Sequence, residues 1–291
     1  MITPTSLLYP DAFLSPLAID EAVHRALDED LGRAGDITSL ATIPEATKAQ
    51  AILVARQSGV IAGLPLALAT LQKLSPDIEV RPHVRDAARV ARGQHVLTIS
   101  GPARAILTAE RTALNFVGRL SGVATLTADY VARTEGTRMR ICCTRKTTPG
   151  LRALEKYAVR CGGGLNHRMD LSSSVLIKDN HLATVDGDIA LAVKRARGLA
   201  PAGMKVEVEC ETLDQVRAAV DAGVDVIMFD NMRLVELRQA VEIVKGHAVT
   251  EASGGVNLDT VRPIAETGVD WISIGALTHS SPALNVGLDF D

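Results

Sequence analysis

Aromatic side chains are scarce. Phe, Tyr and Trp make up 3% of the chain, with a single Trp. The core must therefore be built from Ala, Val, Leu and Ile, which suits helices packed on buried parallel strands. Paired cysteine motifs are missing too. Cys142, Cys143, Cys161 and Cys210 form no C-x-x-C. The adjacent pair Cys142 and Cys143 would point to opposite faces of a strand, which argues against a shared metal site and for a reduced, cytoplasmic protein. No run approaches the ~18–20 apolar residues that span a bilayer. The opening MITPTSLLYPDAFLSP has neither the basic region nor the apolar stretch of a signal peptide. There is no basic excess: 31 Lys+Arg against 34 Asp+Glu leave a formal charge of −3. Bulk nucleic-acid binding, which draws on a basic surface, is not expected. Linker-like and low-complexity segments are absent, so 291 residues read as two modest domains or a barrel with an added domain.

The pattern changes once along the chain. Ser15 and Pro16 open a first helix that Gly32 closes, with Val23, Leu27 and Leu31 at helical spacing. Three β-like runs follow, AILVA from Ala51, IEVRPHV from Ile78 and HVLTIS from His95, with a helix near Leu64 to Leu74 between the first two. PARAILTAERTALNFVGRL, from Pro102 to Leu120, reads as a helix with Ile106, Ala113, Leu114 and Val117 on one face. Residues 1–116 thus form a mixed α+β domain. Residues 117–280 alternate strand and helix. The strands are RMRICC, SVLIK, KVEVE, DVIMF, AVTEA and DWISIG, and Thr212 with Gln215 has capping-box spacing. VRAAVDAGVDVIMFD at Val216 aligns without gaps to VRPIAETGVDWISIG at Val261. Repeated helix–turn–strand units imply parallel strands with right-handed crossovers, hence an irregular or open (β/α) barrel rather than a doubly wound sheet. The tail, residues 281–291, is expected to pack back on the first domain as a short strand.

What the chain has in excess is positive charge in one place. From Arg138 to Lys178 there are nine Lys or Arg and one His against only Glu155 and Asp170. In a barrel the ligand lies at the C-terminal ends of the strands. There the sequence puts Thr144, Arg145 and Lys146 after RMRICC, Lys178 after SVLIK, Glu209 at the end of KVEVE, and Asp230 and Asn231 after DVIMF. Ser253, Gly254 and Gly255 follow AVTEA, and Gly275 follows DWISI. Gly loops and helix N-termini accept phosphate, and the opposed carboxylates suit sugar hydroxyls and Mg²⁺. Each signal has a plainer reading: a strand-end carboxylate as a helix cap, Gly-Gly as a turn, a lone Lys as solvated, His181 of KDNHL as structural. The group Arg145, Lys146, His167, Arg168 and Lys178 is harder to dismiss, because like charges gathered at one mouth repel unless an anion neutralises them.

TRKTTPGLRALEKYAVRCGGGLNHR, LIKDNH, VEVE, FDN, ASGGV and IGALTHS, with ALDEDLGRAGDITS and ERTALNFVGRLSGVAT upstream, resemble quinolinate phosphoribosyltransferases. The resemblance covers roughly residues 20–280 in consistent order. It departs at Ala34, at Cys143 and in MDLSSS between the NHR and LIKDNH motifs. It implies an N-terminal α+β sandwich followed by an irregular, open α/β barrel. The implied reaction joins phosphoribosyl pyrophosphate (PRPP) to quinolinate and releases nicotinate mononucleotide, pyrophosphate and CO2, a step of NAD biosynthesis. By resemblance, Arg145, His167 and Arg168 grip the quinolinate carboxylates, and Thr144 lies in the substrate site. Lys146 and Lys178 bridge quinolinate and the donor. Glu209 and Asp230 hold the ribose and Mg²⁺ through water. Ser253, Gly254, Gly255 and Gly275 cradle the 5-phosphate, with His279 nearby. The resemblance further implies a homodimer, or a larger assembly of it, in which Arg111 enters the neighbouring site. The residues alone leave open a related barrel phosphoribosyltransferase with another acceptor, such as the molybdenum-transport paralogues. They also leave open a Schiff-base sugar-phosphate aldolase using Lys178, or a sugar-phosphate sensor without catalysis.

Overall fold

The computed structural model describes residues 2–290. The chain forms two compact units. One comprises Met1–Ala128, Thr147–Gly163 and Thr278–Asp291, the other Asp129–Lys146 and Gly164–Leu277.

In the first unit, helices α1 (Pro16–Leu31) and α2 (Ile37–Thr42) precede strands β1 (Lys48–Ala55) and β2 (Gly59–Val60). Helix α3 (Leu64–Leu74), strands β3 (Glu79–Pro82), β4 (Arg89–Val90) and β5 (His95–Pro102), and helix α4 (Ala103–Arg133) follow. The main sheet is antiparallel, in the order β12-β1-β5-β3, where β12 (Val286–Phe290) comes from the far end of the chain. The period-2 rule orients β1, so that Ala51, Leu53 and Ala55 are buried together. They meet α3, whose Leu64, Leu68 and Leu71 are buried, and the Ile106, Ala109, Ala113 and Val117 stripe of α4. Pro16 occupies the first turn of α1 as expected, but Ser15 makes no side-chain cap; the helix simply starts at the proline.

Helix α4 runs thirteen residues beyond the Leu120 end read from the sequence. Gly118, inside the helix as read, and Gly122, just past its expected end, both serve close packing. Leu284 N–H donates to Gly118 O at 2.9 Å. A Cβ on Gly122 would lie 2.0 Å from the Pro282 carbonyl oxygen. Gly122→Ala is therefore expected to destabilise the protein by about 1–3 kcal/mol or more, the usual range for overpacking. A thermal melt would test this; an unchanged midpoint would show that residues 282–284 move aside freely. Helix α5 (Arg152–Cys161) also belongs to this unit. Its fully buried Glu155 pairs with Arg119 at 2.6 Å and accepts from the Thr148 N–H and hydroxyl, pinning the second half of TRKTTPG.

The second unit has six parallel strands in the order β6-β11-β10-β9-β8-β7. They are β6 (Arg140–Cys142), β7 (Val175–Ile177), β8 (Val206–Cys210), β9 (Val226–Asp230), β10 (Val249–Ser253) and β11 (Trp271–Ser273). Among the described residues β6 and β7 do not pair with each other, so the barrel is open, as the alternation and the resemblance implied. Crossovers are made by α6 (Asp179–Ala183), α7 (Ile189–Leu199), α8 (Leu213–Asp221), α9 (Leu234–Val244) and α10 (Val261–Ala265), and α11 (Ala276–His279) follows the last strand. Thr212 and Gln215 form the expected reciprocal cap of α8. The internal echo has a structural meaning. The matching Asp225 and Asp270 each tie the start of a neighbouring strand, accepting from Val206 N–H at 2.7 Å and Thr250 N–H at 2.9 Å.

Candidate active site

Along a strand, every second side chain shares a face. Glu207 and Glu209 of β8, Met228 and Asp230 of β9, and Glu251 and Ser253 of β10 therefore form parallel rows. The register pairs Met228 with Glu209 on one side and with Glu251 on the other, and Asp230 with Ser253. These rows open into a cavity of about 600 Å³ at the C-terminal ends of the strands, whose lining lies wholly within the second unit. The cavity gathers most of the residues expected from the sequence. Thr144, Arg145 and Lys146 reach it after β6, His167 and Arg168 from the NHR segment, and Lys178 after β7. Glu209, Asp230, Ser253, Gly254 and Gly255 complete that set. Three expected residues are not in its lining. Arg111 is exposed on α4, Gly275 follows β11, and His279, also exposed, shares a 2.6 Å hydrogen bond with Ser280.

The acidic side is built stiffly. Glu209 is buried and ion-paired with Lys178 Nζ. Asp230 accepts from Asn231 Nδ2 at 2.7 Å. Asn231 itself adopts a left-handed φ of 54° and donates its N–H to Ser253 O at 3.0 Å. Such strained backbone persists where neighbours over-determine it. Gly254 is one of them: its φ is 96°, and a Cβ there would sit 2.2 Å from Asn231 Oδ1. The Gly-Gly turn and the Asp230 side chain thus hold each other in place.

The cationic side is partly desolvated. Burial and the nearby Arg145 charge pull the Arg168 guanidinium below its usual range, and Arg168 Nη1 donates to Ser174 O at 3.1 Å. Thr144 Oγ1 accepts the Lys146 N–H at 3.0 Å, shaping the turn after β6. His167 is buried between two carboxylates, 3.0 Å from Glu207 and 3.4 Å from Glu251. Burial alone would favour the neutral ring, but the hydrogen bonds and charges of Glu207 and Glu251 overcome it and lift the imidazole to about 10. His181 is structural, its Nδ1 accepting the Lys178 N–H at 2.9 Å. Two departures from the family pattern are also locally satisfied. Cys143 Sγ lies 3.4 Å from Asn166 Oδ1. In MDLSSS, Asp170 accepts from Ser172 and Ser173 in an exposed turn, and those bonds hold its carboxyl down at about 2.

Glu207 and Glu251 were not among the residues singled out from the sequence. The signal was present as alternation in VEVE and VTEAS, but a carboxylate in mid-strand reads as a solvent-facing residue until closure of the sheet turns it inward.

One cavity thus sets a cation cluster against two carboxylates and a glycine turn, in a chain that is recognisable along nearly its whole length. Residues 36–121 match the model of the quinolinate phosphoribosyl transferase N-terminal domain, and residues 123–289 that of its C-terminal domain. The chain belongs to the quinolinate phosphoribosyltransferase family. It is 44% identical to nicotinate-nucleotide pyrophosphorylase [carboxylating] of Mycobacterium leprae, over 94% of this chain and 97% of that protein. It is 40% identical to the probable enzyme of the same name in Bacillus subtilis, over 95% and 94% respectively. The solved structure of nicotinate-nucleotide pyrophosphorylase from Francisella tularensis matches with a TM-score of 0.92 at 36% identity, covering 96% of this chain and 98% of that one. Family membership agrees with the fold described above, and it accounts for the concentration of positive charge in a chain of net charge −3.

Proposed function

We infer that the chain is a pentosyltransferase that moves the phosphoribosyl group of PRPP to quinolinate, with decarboxylation, to give nicotinate mononucleotide, pyrophosphate and CO2 in NAD biosynthesis. The observation that carries this reading is the single cavity pairing Arg145, Lys146, His167, Arg168 and Lys178 with Glu209, Asp230 and the Gly254–Gly255 turn. Quinolinate brings two adjacent carboxylates, and Arg forks with a cationic imidazole match them. Arg145, His167 and Arg168 take this role. Lys146 and Lys178 stand where acceptor and donor meet and offset the charge that builds on the departing pyrophosphate. Ser253, Gly254, Gly255 and Gly275 receive the 5-phosphate.

Glu209 and Asp230 are oxygen donors on neighbouring strands of one cavity. Mg²⁺ commonly takes one or two protein carboxylates and completes its shell with water and substrate oxygens, so this pair fits it. Bound there, Mg²⁺ would neutralise pyrophosphate charge. The two carboxylates also face the ribose, where oxocarbenium-like positive charge develops as the C1–O bond breaks. The quinolinate nitrogen forms the new bond to C1 and becomes cationic. Its positive charge then stabilises the electron pair left on the neighbouring ring carbon when the adjacent carboxylate leaves as CO2, and a proton takes up that pair. No general base is needed, in keeping with a site rich in cations.

Arg111 completes the site of a neighbouring subunit in a homodimer. The enzyme works in the cytoplasm, a setting supported by the burial of all four cysteines, which form no C-x-x-C motif. No helix among the described residues is long and apolar enough to cross a membrane.

The deciding experiment incubates the protein with quinolinate, PRPP and Mg²⁺ and follows CO2 and pyrophosphate together. Release in equal amounts is expected. Turnover with a different acceptor and none with quinolinate would move the protein to a paralogous activity. For the acidic pair, Asp230→Asn is expected to weaken PRPP binding and raise the Mg²⁺ requirement while quinolinate binding stays within about twofold. Calorimetric titration of each ligand alone checks this; equal weakening of both would mean that Asp230 only shapes the cavity.

A further inference from the structure

Glu251, which lines the cavity, and the buried Glu207 take no part in the chemistry described above. They come from β8 and β10 and converge on one atom, His167 Nε2, at 3.0 and 3.4 Å. The side chains of Glu207 and Glu251 are only 3% and 0% exposed. Glu207 Oε1 and both carboxylate oxygens of Glu251 have no hydrogen-bond partner, so Glu251 meets the ring by charge rather than by a well-formed hydrogen bond. A buried carboxylate is costly unless paired with a cation or protonated, and two side by side are costlier still. At Nε2 either form of the ring has a single N–H to share between them, but only the imidazolium sets a positive charge against the two carboxylates.

We propose that Glu207 and Glu251 are positioning residues of the acceptor site, which hold the His167 ring in one orientation and in its cationic form so that it meets a quinolinate carboxylate as a permanent charge. This rests on the assignment of His167 to quinolinate made above. The other charged groups facing the ring's surroundings are Arg168 beside it and Arg145, with Lys146, Lys178, Glu209 and Asp230 farther round the cavity. Burial would discharge an imidazolium that lacked carboxylates behind it. The ring is then insulated from ordinary changes of pH. A histidine with the usual pKa near 6.5 would lose its charge, and with it quinolinate affinity, across the neutral range.

A cationic grip is present below the ring's pKa and lost above it. With the ring lifted to about 10, the wild-type grip persists through pH 8. Without the carboxylates the ring falls to its ordinary range or lower, and the grip fades between pH 6 and 8.

The test uses the full-length protein and the double substitution Glu207→Gln with Glu251→Gln, which keeps shape and removes charge. Quinolinate and PRPP affinities are measured by calorimetry at pH 6, 7 and 8, the wild-type curve correcting for titration of the ligand. The double variant is expected to lose roughly tenfold more quinolinate affinity than wild type between pH 6 and 8, as a ring pKa near 7 or below requires, while PRPP affinity is unmoved. In parallel, the His167 imidazole resonance, assigned with His167→Asn, is expected to stay constant from pH 5.5 to 8.5 in wild type and to titrate in the variant. A resonance that titrates near neutrality in wild type overturns the proposal, as does equal pH dependence of quinolinate binding in both proteins. If wild type does not bind quinolinate at all, the acceptor assignment fails, and the resonance still decides whether the carboxylates hold a charged ring. Should the double variant not fold, Glu251→Gln alone and the wild-type titration decide between the same two outcomes.

Discussion

Lys146→Ala is expected to abolish turnover while leaving the melting temperature where it was. Lys146 is exposed at the end of β6 and lines the cavity. The local turn depends on its backbone N–H, which donates to Thr144 Oγ1, so truncating the side chain leaves that bond intact. In the proposed reaction the ammonium meets charge that grows on the leaving pyrophosphate, which is the kind of interaction that strengthens from ground state to transition state. Losing one such contact commonly costs ~10² to 10³ in rate. Steady-state kinetics with both substrates saturating give kcat directly, and a thermal melt shows that the fold survives. A near-normal kcat would remove Lys146 from the chemistry. A large rise in KM with kcat preserved would make it a binding residue that holds substrate and transition state alike.

The sequence exposed the barrel well because its signals are local. Gly223 and Gly268, each at positive φ, sit at matching places in the repeated helix–turn–strand units, and the apolar runs that follow them become β9 and β11. Strand-end positions were also legible, since polar residues stop apolar runs where strands meet loops. That is how Lys178, Glu209, Asp230 and the Gly254–Gly255 turn were found, and the structure brings them to one cavity. What stayed hidden depends on tertiary closure. Glu207 and Glu251 lie in mid-strand, and only the curled sheet converts them from apparent surface residues into a buried pair around His167. The length of α4 was hidden for a related reason. Gly122 stands just past the expected end at Leu120, and only the approach of residues 282–284 explains it, like Gly118 within the helix as read, as a packing glycine. Ser15 shows the opposite error, a good capping residue with no cap to make because Pro16 starts the helix unaided.

If each site draws on two subunits, as proposed, hybrid dimers built from two inactive variants are expected to recover activity. Arg111 lies on the exposed side of α4, whose buried stripe is Ile106, Ala109, Ala113 and Val117. The cavity's own cations all come from the second unit of the chain. An exposed arginine on an amphipathic helix is ordinarily just a solvated residue, so mixing has to discriminate. Arg111→Ala and Lys146→Ala homodimers should each be inactive. In a two-fold dimer that shares its sites, refolding the two together makes hybrids in which one site carries both defects and the other carries none. With random assortment about half of the dimers are hybrids, so roughly a quarter of all sites regain full activity. If Arg111 instead served its own subunit, every site in the mixture would keep one defect and activity would remain at the level of the parents. Differently tagged chains show by co-purification whether hybrids have formed. Formed hybrids without recovered activity would sink the shared site, and recovery near a quarter of wild type would establish both the dimer and the direction in which Arg111 reaches.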